Sequence, residues 1–379
     1  MNVSRQLVAP LSRRRFAGLL GAGFAAAALP PSSPAAAEPT VGPDLGTVIR
    51  LSSNENPYGP SPAVYDALRA AFGRAWRYPD EAEQALVEDL ARLHGVAPDH
   101  VLLGNGSGEI LQLAAAAFTG PGRPAVLADP AFEAVARYAR TKGAEVVRVP
   151  LTADHRHDLE KMLTVTRFTG LLYVCNPNNP TGTVTSGLGD APPRLPSGAV
   201  LLVDEAYHHY AAEGAAGDGY TSALPLLARH PNLLVTRTFS KIFGLAGLRL
   251  GYAVARPETI DRLRYHQTLD AVNGQAIAAA RAALQDTGHL ESCRRRNQEI
   301  RTWVAAELAA RGFTSLPSQA NFLMTDLRRD VQPVIDALRT RGVEVGRRFP
   351  ALPTYLRVTV GTRPQMESFL RALAAVLAT

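Results

Sequence analysis

In the stretch TRTFSKIFGLAGLRLGYAVA, Thr236 to Ala255, a single lysine, Lys241, follows a short β-like run and precedes a glycine-spaced turn, with Arg249 eight positions on. A lysine is most often a solvated surface residue. In an apolar, ordered segment with no acidic neighbour in sequence, Lys241 is instead a candidate nucleophilic amine, able to form an imine with an aldehyde. Thr238 and Ser240 add hydroxyl donors, and Arg249 adds a planar fork suited to phosphate.

Three further segments carry chemistry. In VLLGNGSGEILQLAAAAF a strand runs into a glycine-rich turn and an amphipathic helix, which should leave the amides of Ser107, Gly108 and Glu109 free to bind phosphate. A dinucleotide fingerprint with Asp129 downstream competes, but the glycines fall as GxGxG and the third is missing. In YVCNPNNPTG an apolar strand ends in seven consecutive turn-type residues, more than a turn needs, which sets Asn179 at the strand end. The run AVLLVDEAYHHY ends a hydrophobic strand in Asp204, Glu205 and Tyr207, with His208, His209 and Tyr210 as further pocket candidates. A carboxylate buried there is costly unless a cation meets it. A protonated pyridine nitrogen would serve, and Tyr207 would then hydrogen-bond a ring hydroxyl beside it. A lysine imine, a phosphate cradle, an acid for a ring nitrogen and a partner for a ring hydroxyl are together the fittings of pyridoxal phosphate.

These residues need a scaffold that brings them to one edge. From about residue 66, helical stretches alternate with the β-rich runs HVLLG, PAVLA, AEVVRVP, GLLYVC, AVLLVDEA, NLLVTRT and RLGYAVA. That alternation predicts a mostly parallel sheet covered on both faces, with sites at the carboxyl ends of its strands. The reading assigns residues 38–65 to an ordered N-terminal arm, 66–272 to a large domain and 273–379 to a small α+β domain. The segment GLGDAPPRLPSG should leave one crossover short and irregular.

With 379 residues and 46% hydrophobic content, the chain can bury a large core. Residues 1–37 have the grammar of a signal peptide: Ser12-Arg13-Arg14-Arg15-Phe16 resembles a twin-arginine signal, and Ala35–Ala37 supplies the small residues of a cleavage site. The apolar run Phe16–Leu29 is short and rich in Gly and Ala, so no stable membrane insertion is expected after cleavage. The expected destination is the periplasm or the exterior, or the cytoplasm if the signal is not used. The formal charge of +6 falls to +2 once the four arginines of that segment are removed, which takes away the main support for a nucleic-acid partner. Cys175 and Cys293 show no CxxC spacing, so no metal site is expected.

The motifs NENPYGPSP, GNGSGEIL, NPNNPTG, VDEAY, TFSKIFGLAGLRLGY and YLRVTVGT, in this order over nearly all of residues 45–379, resemble the class I/II aminotransferases of fold type I, and within them the histidinol-phosphate aminotransferase-like branch. The resemblance implies an α/β fold, with a mostly parallel seven-stranded sheet in the large domain and a smaller α+β domain. It further implies a homodimer using pyridoxal 5′-phosphate and no metal, acting on an amino acid and a 2-oxo acid. By position, Lys241 would hold the cofactor and shuttle the proton, Asp204 would pair with the pyridine nitrogen, and Asn179 and Tyr207 would contact the ring hydroxyl. Phosphate would lie among Ser107, Gly108, Glu109, Thr238, Ser240 and Arg249, with Tyr58 reaching in from the neighbouring subunit. Phe132 would stack on the ring, and Arg357 would clamp the substrate carboxylate.

Two positions depart from that pattern. Val135 stands where the family usually has a tyrosine, and Gly346, followed by Arg347 and Arg348, stands where histidinol-phosphate enzymes tend to have an arginine. Strand alternation would turn Arg347 away from the substrate and Arg348 toward it. These departures favour amino acids with aromatic or other bulky side chains over histidinol phosphate. Racemisation, lyase chemistry, decarboxylation and oxidation start from the same imine and remain open alternatives, as does a non-catalytic sensor, although no DNA-binding segment precedes the domain.

Overall fold

The computed structural model describes residues 48–211 and 219–378; the expected signal at 1–37 and the start of the arm lie outside them. Strand β1 (Ile49–Leu51) belongs to the arm. The seven β-rich runs become β2 (Val101–Gly104), β3 (Ala125–Asp129), β4 (Val146–Pro150), β5 (Leu171–Cys175), β6 (Val200–Asp204), β7 (Leu233–Thr238) and β8 (Gly251–Ala255). They form one sheet in the order β2-β8-β7-β6-β5-β3-β4. Strands β3 to β7 pair in parallel, and β8 runs antiparallel to both β2 and β7. Every residue of β5, β6, β7 and β8 is buried, as near-continuous apolar strands covered on both faces require.

Register then decides what meets at the carboxyl edge. Cys175 lies beside Asp204, and Asp204 beside Thr236, so the segments leading to Asn179, Tyr207 and Lys241 leave the sheet side by side. Between β5 and β6 the proline-rich crossover makes only two 3₁₀ turns, Leu188–Asp190 and Pro192–Arg194, as its composition predicts.

The C-terminal part contains β9 (Thr314–Ser315), β10 (Phe322–Asp326), β11 (Val343–Val345) and β12 (Tyr355–Thr359). β12, β10 and β9 form an antiparallel sheet, while β11 pairs in parallel with β1 of the arm, Ile49 opposite Val343. Beside a small cluster of Val184, Ala211 and Tyr220, two large hydrophobic cores result among the described residues. The larger one takes the sheet together with Ala276, Ile277, Ala279 and Ala280 of helix Gly274–Gln285. The smaller one joins Leu51 of the arm to Ile300, Val304, Leu323, Leu356 and Phe369. Helix Thr287–Ala310 serves both, with Cys293 in the first core and Ile300 in the second. Among the described residues, no helix is long and apolar enough to cross a membrane, and no group of His, Cys, Asp or Glu could hold a metal ion.

Candidate active site

A cleft of about 1090 Å³ opens at the carboxyl edge of the sheet. Of the residues singled out in the sequence, it gathers Lys241, Asp204, Tyr207 and Asn179 with Thr238, Ser240, Ser107 and Gly108. Phe132, Arg249 and Arg357 also line it.

Lys241 follows directly on β7, with Nζ 5.6 Å from the centre of the Tyr207 ring. Desolvation, followed by the Arg357 guanidinium, pulls its pKa down to about 8, with Glu55 and Asp204 opposing. Such a lysine is partly neutral near physiological pH and therefore nucleophilic. Asp204 ends β6 at 2% exposure. Its carboxylate accepts hydrogen bonds from the Tyr173 hydroxyl (3.0 Å) and the Ala206 amide (3.2 Å). Burial outweighs both, together with the pull of Lys241, and pushes its pKa up to about 6.

The hydroxyl of Tyr207 accepts from Asn54 Nδ2 at 3.0 Å and from Asn179 Nδ2 at 3.3 Å. Asn179 Oδ1 in turn accepts from Arg357 Nη1 at 2.7 Å, and the Ser52 carbonyl accepts from Nη2 at 2.8 Å. Arg357 Nε is buried with no acceptor among the described residues. A guanidinium held on two nitrogens with its third donor unfilled is pre-aimed at an anion.

The phosphate cradle is built at a helix start. Gly106, at φ +80°, precedes helix Ser107–Phe118, and a Cβ there would run into the Arg249 guanidinium. Arg249 itself adopts φ +58°, a conformation that few non-glycine residues take without compensation. Its Nη1 donates to the Ala246 carbonyl (2.9 Å) and the Ser240 hydroxyl (3.4 Å), while the Thr238 hydroxyl receives the Ser240 amide (3.1 Å). Amides, hydroxyls and a guanidinium facing one volume fit a phosphate monoester. Together with the low-pKa amine of Lys241 and the buried Asp204, they fit pyridoxal 5′-phosphate.

Several expectations need correction. The Glu109 amide is not free: it donates to the Gly106 carbonyl at 3.1 Å, and the Glu109 carboxylate binds the Asn105 amide at 2.6 Å. Glu109 shapes the turn, and the helix start offers Ser107 and Gly108. Arg348 does not face the cleft but binds Asp330 through Nε and Nη2 at 3.0 and 2.8 Å. Arg347 lines the cleft instead, 3.0 Å from Glu133. Alternation fails here because β11 ends at Val345 and Gly346 bonds sideways to the Arg357 carbonyl at 2.9 Å. Val135 is buried in the core, and the turn His208–Tyr210 does not line the cleft. Tyr58 is half-buried beneath Arg296, 5.0 Å from its ring centre, and lines no part of the cleft of its own chain.

Sequence reasoning also missed residues. Asn54 sits in the quoted NENPYGPSP motif, and its placement two residues before Asn56 was the signal that could have found it. Tyr173 looked like one more apolar strand residue.

The chain matches the model of the family described as aminotransferase class I and II over residues 46–373. It is 41% identical over 337 residues to a histidinol-phosphate aminotransferase of Moorella thermoacetica, covering 87% of this chain and 86% of that protein. It is 40% identical over 340 residues to that of Symbiobacterium thermophilum, covering 88% and 91%. In structure it resembles the histidinol-phosphate aminotransferase of Sinorhizobium meliloti in complex with pyridoxal-5′-phosphate, with a TM-score of 0.81, 29% identity and coverage of 87% of this chain and 90% of that one.

Proposed function

The chain belongs to the aminotransferase class I and II family, and from that premise we propose a division of labour among its own residues. The protein is an enzyme, an aminotransferase with pyridoxal 5′-phosphate as cofactor. When bound, the cofactor supplies an aldehyde for the amino group and a ring that withdraws electrons from the donor carbon. Lys241 would hold that aldehyde between turnovers, and its amine would take the proton off the donor carbon. Asp204 would hold a proton on the ring nitrogen, a cation that a carboxylate buried at the end of β6 would welcome. Asn179 and Tyr207 hold the ring hydroxyl, and Arg357 receives the oxyanion next to the reacting carbon. The observation that carries this reading is the meeting of Lys241, Asp204 and the unfilled Arg357 Nε in one cleft.

For the donor we propose histidinol phosphate, the substrate in its relatives' names, with L-amino acids as secondary donors. The earlier preference for bulky amino acids leaned on an absent arginine, and Arg347 now supplies a cation in the cleft. Histidinol phosphate carries its phosphate arm where an amino acid carries its carboxylate, which sets that phosphate before Arg357. The test compares kcat/KM for histidinol phosphate and phenylalanine with 2-oxoglutarate as acceptor, beside a Lys241→Ala variant that should keep the cofactor non-covalently and lose turnover. A clear advantage for phenylalanine would overturn the donor assignment.

The active unit we propose is a homodimer. Trp76, Tyr78, Tyr265 and Leu269 are exposed by 75% or more, and their segments approach each other where a Cβ on Gly274 would lie 3.4 Å from Pro79. Large exposed apolar groups on one face mark an interface, and Tyr58 is proposed to reach the neighbour's phosphate site. Export by the twin-arginine route is likewise proposed, on the motif Ser12–Phe16. Replacing Arg13 and Arg14 with lysine should retain unprocessed enzyme in the cytoplasm; unchanged fractionation would refute it.

A further inference from the structure

We propose that Phe322 and Phe349 are positioning residues: they hold the guanidinium of Arg357 against two aromatic rings, supporting its charge without occupying its donors, so that it stays free for the substrate's oxyanion. The proposal rests on the aminotransferase reading and adds to it the groups that set its anion site.

A cation drawn out of water needs a compensating partner. The two acceptors of Arg357, Asn179 Oδ1 and the Ser52 carbonyl, are both neutral, and its buried Nε has none among the described residues. Desolvation pulls its pKa below the ordinary value; Tyr207 opposes that pull and Arg347 adds to it. What lies against the guanidinium is aromatic: its carbon is 5.7 Å from the ring centre of Phe322 and 5.4 Å from that of Phe349. The face of such a ring is negative and attracts a cation within about 6 Å. A carboxylate in the same place would take up the fork that a substrate anion needs. An aromatic face consumes no N–H.

The fold supplies the two rings independently. In the antiparallel pair of β10 and β12, Met324 stands opposite Arg357 and Phe322 opposite Thr359. Phe322 is therefore the diagonal neighbour of Arg357 on one face of the sheet, within reach of a long side chain. Phe349 comes from the segment between β11 and β12, which is tied back where the Gly346 amide donates to the Arg357 carbonyl at 2.9 Å and the Leu352 amide to the Phe349 carbonyl at 3.0 Å. Phe322 is fully buried and Phe349 is 5% exposed, so neither ring is free to swing away. Phe349 also meets Arg347, whose guanidinium carbon is 4.3 Å from its ring centre. One ring thus serves two like charges that a leucine would leave to repel each other.

Phe349 is the ring to test, since Phe322 also packs against Tyr207, with ring centres 5.2 Å apart. In cofactor-free protein, a double-mutant cycle of Phe349→Leu and Arg357→Met is read as denaturant midpoints. Phe349→Leu should lower the midpoint further when the guanidinium is present than in the Arg357→Met background, because only then is an attraction between cation and ring lost. In holoenzyme, Phe349→Leu should raise KM for phenylalanine and histidinol phosphate by about tenfold and leave kcat within about twofold, as expected when binding is lost equally from ground and transition states. Phe349→Tyr, which keeps the ring, should retain the wild-type KM. Should the leucine variant not fold, pentafluorophenylalanine at position 349, similar in shape but inverted in ring charge, takes its place in the cycle. Equal midpoint shifts in both backgrounds, an unchanged KM in the leucine variant, or a tyrosine variant as impaired as the leucine one overturns the proposal. Wild-type holoenzyme that transaminates no donor refutes the underlying activity, while a coupled cycle still supports the hold on Arg357.

Discussion

Arg237 and Glu205 form an ion pair directly behind the site, with Nε and Nη2 2.9 and 2.8 Å from Oε2 and side chains only 6% and 1% exposed. Ser222 and the Ala223 amide complete the carboxylate's partners. Glu205 follows Asp204 in sequence and lifts its pKa, so Arg237 shields Asp204 by neutralising the neighbour.

Arg237→Met therefore leaves a buried unpaired carboxylate and should lose on the order of 3–5 kcal/mol of stability. Arg237→Met/Glu205→Gln should regain much of it. Denaturant melts of the three proteins check this, and a double variant as unstable as the single one would contradict the pairing.

Asp204 sets a pH dependence in the cofactor-free protein. Its folded pKa, about 6, stands above the ordinary 3.8, so folding favours the protonated form. Its contribution is complete below pH 4 and lost as pH rises through 6. Asp204→Asn should flatten that decline, being more stable than wild type above pH 6 by on the order of 2–3 kcal/mol. The same variant should bind cofactor more weakly and turn over far more slowly. Thermal melts of both proteins between pH 4 and 8 give the comparison.

Gly346 makes room for Arg357, the arginine proposed to meet the substrate. A Cβ there would meet the Arg357 carbonyl at 2.9 Å and Nε at 3.0 Å. Gly346→Ala should displace the guanidinium and reduce kcat/KM by tenfold or more for every amino-acid donor. The cofactor spectrum should stay unaltered, since Lys241 and Asp204 lie on other elements. A normal KM in the alanine variant would show that Arg357 tolerates the shift.

Asn54→Ala removes a donor to Tyr207 and an acceptor for Thr359, whose hydroxyl donates to Asn54 Oδ1 at 3.0 Å. Loss of two buried hydrogen bonds should destabilise by about 2 kcal/mol. The bound cofactor's absorbance should also shift, because Tyr207 loses one of the two groups that hold it. An unchanged spectrum with reduced stability would limit Asn54 to tying down the arm.

The sheet was legible because its central strands β5 to β8 are buried on both faces and its runs alternate with helical stretches from His100 to Ala255. Lys241, Asp204 and Asn179 were legible because polar residues at the ends of such runs need a reason. Tyr173 was not, since its hydroxyl is answered by a carboxylate from a neighbouring strand that local pattern does not reveal. Arg347 and Arg348 were exchanged because alternation holds only while a strand lasts, and β11 stops at Val345.

The arm has a consequence for how the site comes into being. The Ser52 carbonyl holds Arg357, and Asn54 holds Thr359, each across 305 residues of sequence. Contacts so far apart in sequence close very large loops, whose entropy must be overcome before the contacts reward it. A chain lacking its last strand lacks Arg357 itself, and one lacking its first leaves Arg357 without the Ser52 carbonyl that holds it. Full activity thus reports a chain folded from end to end, and proteolytic nicking near either end should silence the enzyme before the central sheet is lost.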